Sequence, residues 1–421
     1  MKKFIKLLSI TLFFILILFI LIKNYRTITS VIPENIKSKL PLSIVDTHFY
    51  IENMINLYSN KDYLYNAKFL PDTHLSNDSG DVKLSMNKIS LNIDKFYLQK
   101  FYVDQHKDKI FIFTDNANVF YFSKKEIKLN TKNIFPIKLK TNLDKFENLN
   151  LMDSFIEDDN LYISTYETNN GFCNFRIFHS KISFDTLKFN EIFINPGCSI
   201  DNIQGGRIQS IVLKKYNKKG LLFSLAENRA DYPNIKAQDD KSYLGKMIFL
   251  NLANNIATIY SKGHRNPQGL LVEGELILST EHGPQGGDEI NKIIEGENYG
   301  WALASYGKFY NKENKSYLNN HFKNNFKEPI FSYFTAIGIS EIVRIPNSFF
   351  DIKSLNNIFF ISSLRGKSLH LVKFDRFFDR IIFSEKIFIN EKIRDLKYLK
   401  ENNVFLLALQ DPVKLGVLIA D

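Results

Sequence analysis

From Lys39 onward the apolar positions recur with a period near two, in short runs separated by Asn, Asp, Gly and Lys turns, and no long amphipathic helical stretch interrupts them. This predicts β-strands. One element repeats: a polar or turn residue, four or five apolar residues, then Ser, Thr or another small residue before a polar loop. It stands at Ile110–Thr114, Leu161–Thr165, Leu221–Leu225, Leu276–Thr280, Ile358–Ser362 and Val404–Ala408. The six copies begin 51, 60, 55, 82 and 46 residues apart, and each interval holds a four-stranded antiparallel sheet with its loops. The expected fold is therefore all-β, a six-bladed β-propeller over residues 27–421, with a site where equivalent loops meet around the axis. A β-sandwich, or two β-domains with coincidentally similar strands, is the competing arrangement. The longest interval contains the Asn-rich stretch 310–327, read as a surface insertion.

Residues 1–26 depart from this pattern. Lys2, Lys3 and Lys6 precede an uncharged apolar run from Leu7 to Ile22, followed by Lys23 and Arg26, and no small-x-small cleavage site follows. An uncleaved signal anchor with its N-terminus inside is the preferred expectation, and a cleaved export signal the alternative. Either places the body on the periplasmic side of the inner membrane.

Composition narrows the picture. Phe (38) and Tyr (20) are abundant, as suits aromatic packing across pleated sheets. The net charge of +10 comes from scattered basic residues rather than a patch, so no nucleic-acid partner is expected. Cys173 and Cys198 are the only cysteines, which excludes a Cys-rich metal module. They either form one disulfide or stand as two buried small side chains.

The densest chemistry lies in Gly263-His264-Arg265-Asn266-Pro267-Gln268-Gly269-Leu270, then Glu281-His282-Gly283-Pro284-Gln285-Gly286-Gly287-Asp288-Glu289-Ile290-Asn291, then Asn298-Tyr299-Gly300-Trp301. Glycine and proline at this density fix tight loops with exposed carbonyls, beside side chains able to carry charge. His264 and His282 are read as loop hydrogen-bonders, since neither has a second histidine at ligand spacing. Trp301 is read as packing, and Gly205-Gly206-Arg207 as a strand turn brought close to a neighbour. Arg265 alone could also tie its loop through a salt bridge to Asp288 or Glu289.

These segments closely resemble the glucose/sorbosone dehydrogenase family, six-bladed propeller quinoproteins that use pyrroloquinoline quinone (PQQ) and calcium to oxidise sugars. The resemblance extends to Gln204-Gly205-Gly206-Arg207, 237–246, Ser362-Ser363-Leu364-Arg365-Gly366 and Ile393-Arg394-Asp395, and covers about residues 201–411. It implies a small sugar or alcohol substrate and, with the anchor, a membrane electron acceptor. It implies calcium on the carbonyls of Gly283 and Pro284, which suit a hard cation. It makes Arg265, with Asn266 beside it, the cofactor-contacting arginine that stabilises developing negative charge. Arg365, Lys392 and Arg394 fall where the family places its carboxylate-binding cations.

The pattern breaks at one chemical position. The family's general base is a histidine four residues before the Gly-Gly-Arg arginine, and here that residue is Ile203. The carboxylate that supports the histidine corresponds to Glu227, which, with Asp201, is the expected stand-in base; a longer displacement would recruit His179. Ala302 and Ile339 stand where the family has proline. A non-catalytic propeller that binds a carbohydrate, cell-wall or protein partner is the alternative function.

Overall fold

The computed structural model describes residues 84–420 apart from 95–97, 129, 147, 170–171, 198–204, 228–234, 309–320 and 352–355. Six blades of four antiparallel strands follow one another, each written from its inner strand outward, and the sixth carries a short fifth strand, Asn133–Ile134, parallel to its outer one. Blade 1 is Phe101–His106, Lys109–Thr114, Val119–Ser123 and Ile137–Lys138; blade 2 is Leu149–Glu157, Asn160–Asn169, Phe172–Lys181 and Asn190–Pro196. Blade 3 is Gly205–Leu213, Lys218–Leu225, Lys246–Asn251 and Ile256–Lys262; blade 4 is Pro267–Glu273, Leu276–Glu281, Asp288–Lys292 and Phe331–Tyr333. Blade 5 is Ile339–Arg344, Ile358–Ser363, Ser368–Phe374 and Ile381–Phe388. Blade 6 takes Lys392–Leu399, Val404–Gln410 and Lys414–Ala420 from the C-terminus and its outer strand, Leu84–Leu91, from earlier in the chain.

That last pairing closes the ring. Leu84 faces Ala420 and Ile89 faces Leu415 in an antiparallel register, and the inner strands adjoin one another in cyclic order, the last against the first. The predicted propeller is therefore the observed fold. All six repeated apolar elements are second strands of blades. Their runs are unbroken because each second strand is buried on both faces between neighbouring blades; Phe111, Ile112 and Phe113, for example, are all fully buried. Aromatic rings fill the wedges between blades, as with Phe175 and Phe223 at 5.7 Å and Phe360 and Phe405 at 5.1 Å.

The small residues that end these strands also have a structural use. Ser164 Oγ donates to the Gly206 carbonyl and Thr280 Oγ1 to that of Ser340, in each case the inner strand of the following blade. Gly206 permits that approach: its φ is +82°, and a Cβ there would lie 2.6 Å from Met152 Cβ.

The signal anchor expected at 1–26 lies outside the described residues. Among the described residues no helix is long and apolar enough to cross a membrane. Residues 310–320 of the insertion expected at 310–327 are likewise outside them. Cys173 is disulfide-bonded, and the chain's other cysteine, Cys198, is outside the described residues.

Five of the six inner strands carry a register shift near their start, at Leu151/Asp153, Gly205/Ile208, Pro267/Gly269, Ile339/Ile342 and Ile393/Asp395. Such bulges turn side chains toward the axis. Arg207 is the one that reaches furthest. Its guanidinium contacts Asp153 at 3.0 Å, Glu341 at 2.8 Å and Asp395 at 3.1 Å. It also donates to the carbonyls of Gln268 at 2.5 Å and Arg394 at 3.0 Å, and lies 5.1 Å from the Tyr102 ring centroid. It thus touches all five other blades.

Burial pushes the Asp153 and Glu341 carboxyls up, and Arg207 opposes that push. A carboxyl whose folded pKa is raised contributes stability at low pH that is lost as pH rises through the folded value. Removing the cation should enlarge that loss. Arg207→Met is expected to cost about 3–5 kcal/mol, with a larger cost at pH 8 than at pH 5. Urea unfolding of both proteins at the two pH values checks this; an equal cost at both would separate the three carboxyls from Arg207.

Candidate active site

In each blade the chain runs from inner to second to third to outer strand. The second-to-third and outer-to-next-inner connections therefore emerge at one end of the axis. Most motifs expected to carry chemistry lie on these connections; the motif at 298–301 lies instead on the third-to-outer connection of blade 4, and Lys392 opens the blade 6 inner strand. Gly263–Asn266 links blades 3 and 4, His282–Gly287 joins the second and third strands of blade 4, and Arg365 does the same in blade 5. Glu227 follows the second strand of blade 3, and Arg394 sits in the bulge of blade 6.

Side-chain contacts bring these loops together. Glu281 organises the first: its carboxylate accepts from the backbone N–H of Arg265 and, at 3.2 Å, of Asn266, and contacts His264 Nδ1 at 3.1 Å. The other nitrogen of His264 meets Ser261 Oγ at 2.8 Å, so His264 is the hydrogen-bonder expected. Arg265 Nη1 then donates to the carbonyls of His282 at 2.9 Å and Gly283 at 2.8 Å. Its guanidinium lies 5.3 Å from the Trp301 ring centroid. The salt bridge to Asp288 or Glu289 left open by the sequence is not formed. Asp288 instead accepts from the backbone N–H groups of Gly283 and Ile339, both at 3.0 Å.

Arg394 joins from the opposite side. Its Nη1 donates to Gln268 Oε1 at 3.1 Å, and Gln268 Nε2 donates to Asn266 Oδ1 at 2.9 Å. Arg365 stands against the same assembly through its backbone, since a Cβ on Gly338 would lie 2.9 Å from the Arg365 nitrogen, one residue before the Ile339–Asp288 bond. Arg265, Asn266, Gly283, Arg365 and Arg394 are thus one connected cluster, with Pro284 in the same loop.

Two expected residues behave differently. Lys392 pairs with Asp411 at 2.6 Å on the exposed rim. Residues two apart on a strand normally share a face, but the bulge at Arg394 breaks that alternation and separates the two cations. Both oxygens of the buried Glu227 accept backbone N–H bonds, from Lys236 at 2.8 Å and Ala237 at 2.6 Å. The Glu227 carbonyl accepts from Trp301 Nε1 at 2.6 Å, and its N–H donates to the Arg265 carbonyl at 2.8 Å. The residue is a brace beneath Arg265 and Trp301. Ile203 and Asp201 lie outside the described residues.

Two nitrogens of the cluster, Arg265 Nε and His282 Nε2, are buried without a hydrogen-bond partner. Burial, together with the nearby Arg265 and Arg394 cations, pushes the His282 pKa down against the pull of Asp288. Arg394 forms no ion pair among the described residues; its partners are the amide oxygens of Gln268 and Gln410. Unpaired donors and a half-buried cation with no carboxylate ion pair among the described residues suit an anionic or carbonyl-rich ligand. Gln268 and Gln410 were not singled out from the sequence; Gln268 stands inside the first motif, whereas Gln410 carries no local signal.

The glucose / sorbosone dehydrogenase family pattern matches residues 143–415. The chain is 32% identical over 181 residues to an aldose sugar dehydrogenase of Escherichia coli, covering 38% of this chain and 46% of that protein. It is 34% identical over 122 residues to quinoprotein glucose dehydrogenase B of Acinetobacter calcoaceticus, covering 23% and 26%. The chain thus matches less than half the length of these curated relatives. The apo soluble aldose sugar dehydrogenase of Escherichia coli superposes with a TM-score of 0.63 at 18% identity, over 80% of this chain and 100% of that one. The PQQ-bound aldose sugar dehydrogenase of Streptomyces coelicolor gives 0.56 at 16% identity, over 80% and 99%. At these identities the superpositions show the fold.

The loop holding the Gly283 carbonyl has no room for a side chain. A Cβ at Gly283 would lie 2.1 Å from the Gly286 carbonyl oxygen and 2.4 Å from the Gly287 carbonyl carbon. Gly283→Ala is expected to shift this backbone at a cost of about 1–3 kcal/mol and to release Arg265 from its two carbonyls. A lowered melting temperature and a changed emission from Trp301, the chain's one tryptophan, would report both; an unchanged melt and spectrum would show the loop to be loosely held.

Proposed function

Because the chain belongs to the glucose/sorbosone dehydrogenase family, we propose that it is a PQQ- and calcium-dependent oxidoreductase that oxidises a sugar or related alcohol at the propeller mouth. In this reading residues 1–26 anchor the body on the periplasmic side of the inner membrane, beside a membrane electron acceptor. The carrying observation is the connected cluster of Arg265, Gly283 and Arg394, in which, among the described residues, the buried Arg265 Nε lacks a partner and the Arg394 guanidinium bonds glutamine oxygens rather than a carboxylate.

The donor set fits the group. When bound, the quinone supplies an electron-pair sink and calcium a Lewis acid beside it. Arg394 and Arg365 would meet its carboxylates, and Lys392 would join only by leaving Asp411. Gly283 and Pro284 would hold calcium through their carbonyls; the Gly283 oxygen keeps a second lone pair beyond its Arg265 bond. Arg265, fixed over Trp301 and by two carbonyls, presents its charge without reorganising, which is how a guanidinium lowers the cost of developing negative charge. Gln268 sets the spacing between Arg394 and Asn266. Glu227 serves as a positioning residue, since both its oxygens are engaged by backbone donors.

The second reading, a non-catalytic propeller that binds a carbohydrate, cell-wall or protein partner, is favoured by one observation: Ile203 has a hydrocarbon side chain that accepts no proton. One experiment separates the two. The purified chain is supplied with PQQ and calcium, and cofactor absorbance and dye reduction with aldoses are followed for the natural protein, Arg265→Ala and Ile203→His. The dehydrogenase reading expects turnover in the natural protein, its loss in Arg265→Ala, and a gain toward about 10²-fold in Ile203→His. Bound but redox-silent cofactor would support the second reading, and absence of binding would remove the cofactor from both.

A further inference from the structure

Lys100 stands immediately before Phe101, the first residue of the blade 1 inner strand, at the same end as the cluster above. Nothing in the local pattern distinguishes it among the 55 Lys and Arg residues of the chain. Its backbone is fixed: the Lys100 carbonyl accepts from Asp115 N at 3.1 Å, Gln99 N donates to Asp115 Oδ1 at 3.3 Å, and the Gln99 carbonyl accepts from Gln410 Nε2 at 3.4 Å. Gln410 Oε1 in turn accepts from both Nε and Nη2 of Arg394 at 3.3 Å. The inner strands of blades 6 and 1 adjoin, and Gln410 thus ties the residue beside Lys100 to Arg394 across that seam.

Neither cation forms an ion pair with a carboxylate among the described residues. Two neighbouring positive charges held partly out of water repel each other more than they would in bulk solvent. Such a pair is stable only when its surroundings supply compensation or a ligand does. The charged groups around Lys100 are Arg394 from blade 6, Arg207 from blade 3 and Asp115 from blade 1, so cations outnumber the one acid. Asp115 is in addition engaged by the Gln99 N–H.

We propose that Lys100 and Arg394 form a carboxylate-binding pair at the channel mouth. The carboxylate belongs either to the cofactor or to an acidic sugar such as a hexuronate, and the first source rests on the dehydrogenase reading. Burial, then the Arg394 guanidinium, with a smaller push from Arg207 and an opposing pull from Asp115, hold the Lys100 ammonium down to about 8. The pair therefore loses charge as pH rises through that value, and carboxylate affinity falls with it.

The test is a calorimetric titration of the full chain, Lys100→Met and Lys100→Arg, with PQQ alone, glucuronate alone and glucose as the neutral control, at pH 7 and pH 9. Circular dichroism and melting temperature confirm that each variant is folded. A charge-assisted contact predicts about ten- to hundredfold weaker carboxylate binding in Lys100→Met at pH 7, retention in Lys100→Arg, and no effect on glucose. The natural protein should bind the carboxylate more weakly at pH 9 than at pH 7, whereas Lys100→Arg should bind equally at both. Loss confined to PQQ assigns the carboxylate to the cofactor, and loss confined to glucuronate assigns it to the substrate. Failure of the natural protein to bind PQQ, with Lys100-dependent glucuronate binding intact, would sink the dehydrogenase reading and leave the pair standing. Unchanged affinities in Lys100→Met for both carboxylates, or no binding of either by the natural protein, would overturn the pair.

Discussion

The fold turns on one buried cation. A propeller blade is an ordinary antiparallel sheet, and nothing within it dictates that six should meet around an axis. Arg207 supplies that instruction by reaching from blade 3 to all five other blades at once. Its three carboxylates do more than neutralise it. Asp153 Oδ2 also accepts from Ile208 N, and Asp395 Oδ2 from Val103 N, both at 2.9 Å. Asp104 Oδ2 accepts from Ile156 N at 2.8 Å, and Ser340 Oγ donates to the Arg394 carbonyl at 2.7 Å. With Arg207 bonding the Gln268 carbonyl, five of the six adjacent pairs of inner strands are joined by a side-chain-to-backbone hydrogen bond, and the sixth, between blades 4 and 5, is bridged from the second strand of blade 4 by Thr280 bonding the Ser340 carbonyl. Buried polar groups of this kind specify one arrangement because each is costly to leave unpaired.

The same ring sorts charge along the axis. The acids Asp153, Glu341 and Asp395 gather on Arg207, and Asp104 takes Lys397 at 2.5 Å. Among the described residues the mouth holds Arg394, Lys100 and Arg265 without carboxylate ion pairs. Arg394 belongs to both zones, since its carbonyl is bonded by Arg207 and Ser340 while its guanidinium points to glutamine oxygens. Asp395, the next residue, supplies part of the compensation that allows Arg394 to remain buried and charged. An acid-rich hub beneath cation-rich loops is how the protein can hold a positive mouth without a ligand.

The sequence disclosed what depends on local pattern and hid what depends on register. Second strands were legible because burial on both faces leaves a continuous apolar run, and six such runs count the blades. The ligand-side loops were legible because glycine, proline and charge crowd together in the stretches 263–270 and 281–291. The hub was not, because Arg207 meets Asp395 across 188 residues and only through bulges that no single-strand pattern reveals. Lys392 was grouped with Arg394 by a two-residue spacing that holds in a regular strand and fails in a bulged one. Glu227 was marked as an acid near the site, which it is. Its conversion into a brace follows from the Lys236 and Ala237 backbone closing on it, a loop conformation the sequence does not announce.

This division bears on where the protein can differ from its relatives. The family pattern begins at residue 143, so blade 1 and the closing strand Leu84–Leu91 lie outside it. Yet the ring cannot close without them, and their obligations are narrow. They must supply apolar faces, an antiparallel partner for Lys414–Ala420, and Asp104 at the axis. None of these constrains the residue just before the blade 1 inner strand. That position overlooks the mouth and answers to no fold requirement beyond its backbone bonds, so its side chain is free to set which charge the site accepts. Lys100 occupies it, and the strongest chemical individuality of this chain is therefore carried by the segment with the least family likeness.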